Sequence, residues 1–468
     1  MLITTLIILF IIGYLAIALE HPIKIDKTAS ALLLGMLMWV IYALGAEEIV
    51  PYINPDKFQN FITEHSLENS DLFTQSLKYI TEQQIIGSIG EITQTLLFLI
   101  GAMTIVELID VHNGFRIITD NINSRNKKRL LWIVSITTFC LSAILDNLTT
   151  TIVMVMLLRK LIRDQHDRWL YAGMIVIAAN TGGAWSPIGD ITTIMLWVRG
   201  NVTAGALILK VLLPSIIAMV VPAFIISRQL NGELGEIPTA SSESNLSQSF
   251  SRRDQIIIFL LGISGLIFVP VFKSITHLPP FIGMLLVLGV LWVFIECFYN
   301  GKVKVMDRAK QHRIPRVIAR IDMPSILFFL GILMAVDVLQ LTGILSSLST
   351  WLDNTVHNIY IINLFLGLMS SIVDNVPLVA ASIGMYPIEA IGATGYAANF
   401  VVDGMFWEFL SYCAGVGGSV LIIGSAAGVI AMGLEKINFG WYLKKISWPA
   451  LLGYLCGGAF YILTSALF

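Results

Sequence analysis

Five acidic residues, Glu107, Asp146, Asp190, Asp337 and Asp374, sit inside long apolar stretches of this 468-residue chain. Two of them open the same short pattern, Asp146-Asn147-x-Thr149-Thr150 and Asp374-Asn375. A carboxylate, an amide oxygen and hydroxyls make a set of hard oxygen donors, the chemistry that a small cation needs. The same groups can also act locally, as an Asx turn or helix N-cap that satisfies backbone N–H groups. A third stretch runs Asn180-Thr181-Gly182-Gly183-Ala184-Trp185-Ser186-Pro187-Ile188-Gly189-Asp190. Two glycines, then a proline and another glycine, do not sit comfortably inside one helix. A break there frees carbonyls for a cation and brings helix dipole ends to the gap, with Asn180, Thr181, Gly183 and Asp190 as candidate ligands. A kink that serves packing alone is the alternative, and the polar Ser186, Thr192 and Thr193 around the break argue against it. The stretch Gly415 to Gly428 has glycines, Ser419 and Ser425 but no acid, so Gly418 and Ser419 are its candidate ligands.

Such groups need an apolar scaffold, and the composition supplies one. The chain is 56% hydrophobic and 13% charged, whereas soluble domains carry roughly 25% charged residues. The apolar residues come in runs, such as Ala31 to Leu44, Ile256 to Val271 and Phe281 to Ile295, which excludes a large soluble core. A bilayer span takes about 20 mostly apolar residues. Crossings are expected at 1–19, 29–45, 85–109, 169–198, 202–227, 256–272, 280–299, 321–340, 404–432 and 446–467. The first lacks a basic flank and reads as a span more than a cleaved signal. Cys140, Cys297, Cys413 and Cys456 lie in apolar segments without CxxC spacing and read as packing residues, with no metal or disulfide signal. All seven histidines fall in or beside loops and read as solvated surface. With no His in mid-span and no HExxH, a membrane hydrolase is disfavoured. No cofactor and no nucleic-acid partner are expected.

Topology follows from basic residues, which concentrate in cytoplasmic loops. Apart from Lys57, Lys78, Arg199, Lys210 and Lys273, all 29 basic residues fall in 20–28, 110–129, 159–168, 228–255, 300–322 and 433–445. With about ten crossings, these segments share one side, and both termini fall outside with the acidic segment 46–84. That holds only if 130–158, flanked by basic residues at both ends, does not cross. A re-entrant hairpin with its tip near Asp146-Asn147 fits its length and charge. No basic residue lies between Leu341 and Asp403, so 360–383 reads as an opposite hairpin with its tip near Asp374-Asn375. The chain then divides into an N-terminal repeat (1–227), a serine-rich cytoplasmic linker (228–255) and a C-terminal repeat (256–468).

The two halves match at three places. LFLIGAMTIVEL (97–108) aligns with LFFLGILMAVDV (327–338), pairing Glu107 with Asp337. ILDNLTTTIV (144–153) aligns with IVDNVPLVAA (372–381). NTGGAWSPIGDITT (180–193) aligns with GVGGSVLIIGSAAG (415–428). Three matches in order at a nearly constant offset predict inverted repeats, with sites near the midplane at broken helices. The expected fold is an all-α polytopic membrane protein of two inverted repeats, with two re-entrant helical hairpins and two broken helices (169–198 and 404–432). Acids inside a membrane are functional hypotheses by default. Glu107 and Asp337 are candidates for proton coupling, or else residues solvated near helix ends. Lys210 is the one candidate buried cation, and it can snorkel outward.

LDNLTTT (145–151), ANTGGAWSPIGDITT (179–193) and VDNVPLVAA (373–381) closely resemble motifs of NhaD-type sodium/proton antiporters, over nearly the whole chain from about residue 29. That family is similar to a wider ion-transporter superfamily with carboxylate symporters and arsenite carriers. The resemblance implies a secondary transporter, not an enzyme, in the plasma (bacterial inner) membrane, exchanging Na+ and also Li+ for H+. It also implies a homodimer built through scaffold helices. Carboxylate carriers of the superfamily have Ser-Asn-Thr at the hairpin tips, where this chain has Asp146-Asn147 and Asp374-Asn375. An aspartate there repels a carboxylate substrate and is neutralised by sodium or by a proton. The expected Na+ ligands are therefore Asp146, Asn147, Asp374 and Asn375, with Thr149 beside them, and Asp146 and Asp374 also take the proton. A sodium-coupled carboxylate or oxyanion transporter is the rival reading.

Overall fold

The structure is a computed structural model that describes residues 2–18, 20–115, 122, 124–234, 252–302, 317–372 and 374–465. Most of the expected serine-rich linker, and Val373 beside Asp374, lie outside the described residues. Regular structure is helical, and no strand occurs among the described residues. In chain order the principal helices are α1 (Leu2–Ala18), α2 (Lys27–Leu44), α3 (Ile85–Val111), α4 (Lys127–Leu145), α5 (Asn147–Leu161) and α6 (Gln165–Gly183). They continue as α7 (Ile191–Val198), α8 (Ala204–Ser227), α9 (Arg252–Thr276), α10 (Pro280–Lys302), α11 (Met323–Leu341) and α12 (Ile344–Thr355). The last are α13 (Ile359–Met369), α14 (Asn375–Met385), α15 (Met405–Gly417), α16 (Ala426–Glu435), α17 (Phe439–Lys445) and α18 (Ser447–Ser465).

Seven helical stretches are long and apolar enough to cross a bilayer: 27–44, 72–111, 127–145, 204–227, 252–276, 280–297 and 323–341. An eighth joins α17 and α18 across a 50° bend. The chain is thus a multi-pass membrane protein. The segments expected at 169–198 and 404–432 each consist of two helices with a gap, α6–α7 and α15–α16. Segment 130–158 extends at both ends into α4 and α5, which meet at Asp146.

The chain divides into two compact units. The first comprises Met1–Leu96, Asp322–Asn358 and Val376–Ile388. Its centre is the pair α2–α11, where Gly35 and Gly331 let the backbones touch, since a methyl on Gly35 would overlap the Gly331 carbonyl. Trp39 Nε1 donates to Met334 O at 3.0 Å across the same seam. The acidic segment 46–84 is not a plain loop. It forms helices Ala46–Ile53, Pro55–Glu64 and Leu72–Tyr79, and the last runs through a π-helical turn (Ile80–Gln84) into α3. Phe58 and Phe61 turn inward against Tyr79, with ring centroids 5.5 and 5.2 Å apart, so apolar residues at helical spacing win over local charge. Asp71 caps Leu72–Tyr79. The Thr74 hydroxyl and N–H donate to its carboxylate at 2.7 and 3.1 Å and hold its carboxyl below the usual range.

The second unit comprises Leu97–Ile321, Ile359–Asn375 and Glu389–Phe468. In it α4 packs on α6, α8 on α18 and α13 on α15. Two expectations are corrected. His112 is fully buried, not solvated, because at the end of α3 its Nδ1 lies 2.6 Å from Leu108 O, one turn back. Of the cysteines, Cys413 is buried, whereas Cys140, Cys297 and Cys456 are exposed on the outer faces of their helices.

Candidate cation site

Asp190 is the centre of a buried polar cluster within the second unit. α6 stops at Gly183, and the chain turns through 184–189 before α7 starts at Ile191. Gly182 makes this stop compatible with close packing, because a methyl there would overlap the Phe139 carbonyl of α4. Asp190 then caps α7. Its Oδ1 accepts from Thr192 N at 3.2 Å, while Thr193 Oγ1 lies 3.3 Å from Asp190 N. Its other oxygen, Oδ2, accepts two side-chain amides, Asn147 Nδ2 at 2.9 Å and Asn375 Nδ2 at 3.2 Å. Asp190 is 1% exposed.

The orientation of these amides is forced. A carboxylate only accepts, so Asn147 must turn its NH2 to Asp190. The same NH2 reaches Asn180 Oδ1 at 3.1 Å. That leaves the Asn180 NH2 for Ser419 Oγ at 3.0 Å and Ser425 Oγ at 2.8 Å. The network thus joins residues from α5, α6, the α6–α7 gap, the start of α14 and the α15–α16 gap. Thr150 and Thr192 are fully buried; Thr192 lies beside the Asp190 carboxylate, and the Thr150 hydroxyl has no hydrogen-bond partner among the described residues. Buried hydroxyls of this kind are ready ligands for a hard cation.

Asp146 behaves differently. It has φ 78° and ψ 160°, a region held essentially by glycine and costing about 1–3 kcal/mol for other residues. Its carboxylate turns along its own helix, accepting from Thr149 N at 2.7 Å and Thr149 Oγ1 at 3.1 Å. Asp146 and Asp374 both lie within electrostatic range of Asp190.

The α13–α16 region has the same local construction. Ser142 Oγ donates to Ala179 O at 2.5 Å, and Ser370 Oγ donates to Ala414 O at 2.9 Å. Gly182 abuts the Phe139 carbonyl, and Gly417 abuts that of Gly367. Ser425 caps α16 with φ −148° and ψ 153°, against −146° and 151° at Asp190.

The family model described as citrate transporter (CitMHS) matches residues 7–407. The chain is similar to sodium/proton antiporter 1 of Arabidopsis thaliana, with 40% identity over 455 residues, 97% of this chain and 71% of that one. Sodium/proton antiporter 2 of the same plant is 41% identical over 96% of this chain and 97% of its own length. The Na+/H+ antiporter NhaD of Vibrio cholerae is 29% identical over 96% and 89%. The chain belongs to the NhaD-type sodium/proton antiporter family, in the ion-transporter superfamily.

In this NhaD-type chain the structure gathers Asn147, Asn180, Asp190, Asn375 and Ser419 directly, with Asp146, Thr149 and Asp374 close by. Thr181 turns back to Ile177 O at 2.7 Å. Gly183 and Gly418 hold the gap turns, each close to the backbone of Gly189 or Gly424. Glu107 lies 3.8 Å from Arg320, and Asp337 belongs to the first unit. Lys210 is exposed. Sequence reasoning left Ser425 out of the ligand set, although its alignment with Asp190 was a usable signal. It also left out Ser142, Ser370 and Ser411, which tie the gaps to neighbouring helices. Glu408 was left out as well, though it is an acid inside an expected span and is 4% exposed.

Proposed function

We propose that this transporter exchanges Na+, and also Li+, for H+ across the plasma (bacterial inner) membrane. The observation that carries this reading is the Asp190 carboxylate, buried among amides and hydroxyls. In a dry interior a carboxylate is stable when a cation or a proton neutralises it, and poorly served by both together. Competition for one acidic centre is then enough to couple the two ions. Asp190, Asn147, Asn375, Asn180, Ser419, Thr150 and Thr192 form the cation centre. Asp146 and Asp374 add charge, and Asp146 joins the ligand set once its cap on α5 is released. Glu107 and Asp337 are second-tier proton-coupling candidates. The names of the Arabidopsis and Vibrio relatives agree with this reading.

The proposed architecture is two inverted repeats, 1–227 and 256–468, joined by the 228–255 linker, with α4–α5 and α13–α14 as re-entrant hairpins. The matched cap torsions at Asp190 and Ser425, and the matched contacts of Ser142 with Ser370 and of Gly182 with Gly417, support it. Both termini lie outside, and the protein works as a homodimer by alternating access. The family description favours a second reading, sodium-coupled citrate or oxyanion transport. A buried carboxylate at the centre opposes it, because it repels an anionic substrate. In proteoliposomes, a sodium jump should drive proton flux, and labelled citrate should not accumulate. Asp190→Asn should reduce that flux by about 100-fold or more, and Asp146→Asn should also abolish it. Wild-type exchange by Asp190→Asn would sink the assignment of the centre.

A further inference from the structure

Glu408, in the first turn of α15, is a buried carboxylate outside the Asp190 cluster. Its Oε2 accepts the Tyr461 hydroxyl from α18 at 2.8 Å, and Tyr461 is itself 1% exposed. A glutamate in the first turn is favoured by the helix dipole. That effect accounts for its position but not for its removal from water, which is costly for any carboxylate. The charged and titratable groups around it are Lys210 of α8 and Asp403, Tyr461 of α18, and Tyr360 of α13 beyond the phenol.

Glu408 also has a path toward the cation centre. Residues three and seven positions on share its helix face. These are Ser411, whose hydroxyl donates to Ala184 O at 2.8 Å, and Gly415, where an added Cβ would lie 3.0 Å from the Ala184 Cβ. Ala184 is where α6 stops, four residues past Asn180, whose carbonyl its N–H engages at 3.1 Å. The face starting at Glu408 therefore reaches the helix break about 10 Å along α15, at 1.5 Å per residue. At its other end Asp403 N donates to Asn201 O at 3.0 Å. The Asn201 side chain is 1% exposed, and neither its Nδ2 nor its Oδ1 has a partner among the described residues. A buried amide of that kind is a natural seat for a water molecule.

From this geometry we propose that Glu408 is a second proton-binding carboxylate of the transport cycle, a relay between water at the N-terminal end of α15 and the Asp190 centre. It binds no sodium. It takes a proton from water and passes it, through hydroxyls and water along the α15 face, to the carboxylate that sodium vacates. The reverse step returns the proton to water. Tyr461 is a positioning residue that fixes the carboxylate rotamer.

This inference rests on the exchange reading, and the test separates the two. Full-length protein in liposomes is assayed for 22Na+/Na+ counterflow, which needs no proton, and for sodium-driven proton flux from pH 6 to 9. Glu408→Gln should keep counterflow within about twofold, lose about tenfold or more of proton-coupled flux, and lose one limb of its pH profile. Tyr461→Phe should keep counterflow and displace that limb. An unchanged pH profile in Glu408→Gln would overturn the relay. So would equal loss of counterflow and coupled flux, which would mark a structural or cation-binding role. Counterflow without any sodium-driven proton flux in the wild type would instead overturn the exchange reading, and the relay with it.

Discussion

At the scale of single residues, the cluster is ordered by what each group can donate. Asp190 as a carboxylate can only accept, which fixes the amides of Asn147 and Asn375, and through Asn147 that of Asn180. The hydroxyl of Thr150 is the exception, buried without a partner among the described residues. Removing an unpaired buried hydroxyl is nearly neutral or stabilising for a fold. Removing a cation ligand weakens binding. Thr150→Val should therefore melt at or above the wild-type temperature while the sodium concentration for half-maximal exchange rises about tenfold, roughly the 1–2 kcal/mol of a lost oxygen ligand. Lower melting with unchanged sodium dependence would make this hydroxyl structural. Asp146 has a double role, since its carboxylate caps α5 while its backbone bears strain. Strain of this sort marks places where a structure has another arrangement within reach.

At the scale of elements, the gaps at 184–190 and 418–425 are held by contacts that tolerate no extra atom. Gly182 meets the Phe139 carbonyl, and Gly417 that of Gly367, both backbone groups that cannot swing aside. Gly182→Ala should cost about 1–3 kcal/mol, read as a lower melting temperature in detergent. Gly87→Ala, where an added methyl meets nothing within 4 Å, is the control and should melt at or above the wild type. Equal behaviour of the two variants would mean that close packing of α4 on α6 is not what the glycine provides. Glu435 fastens the other end of the assembly. Its buried carboxylate accepts Arg159 Nε from α5 at 2.7 Å and Arg168 Nε from α6 at 2.8 Å, and Trp169 Nε1 reaches its carbonyl at 3.0 Å. α5, α6 and α16 are thus joined by charge at one end and by the Asn180 amide network at the other.

At the scale of the whole molecule, the distribution of Lys and Arg sets orientation. In a variant with all four cysteines replaced, Glu68→Cys should react with an impermeant maleimide on intact cells. Arg163→Cys should react only after permeabilisation. The opposite pattern would invert the topology and place the N-terminal end of α15 on the cytoplasmic side. Glu68 and Arg163 are both exposed, so labelling reports sidedness and not burial.

The sequence alone determined what depends on neighbours along the chain. Apolar runs required a membrane bundle, and the glycines and proline of 182–189 required a helix to stop. The Asp-Asn pairs supplied either caps or ligands. Such features follow from local sterics and from the cost of bare backbone in lipid. The choice between cap and ligand was left to the tertiary structure. Asp146 caps while Asn147 reaches the cluster, because only packing of α5 against α6 decides which side chain meets Asp190. Asn375 and Asp190, 185 residues apart, bond to each other. Glu408 and Tyr461 pair across two helices, and His112 is buried at the end of α3. The residues were visible in the sequence but their pairings had no periodicity or spacing to betray them, since long-range partners are selected by how whole helices pack, and burial belongs to the assembled surface rather than to any one segment.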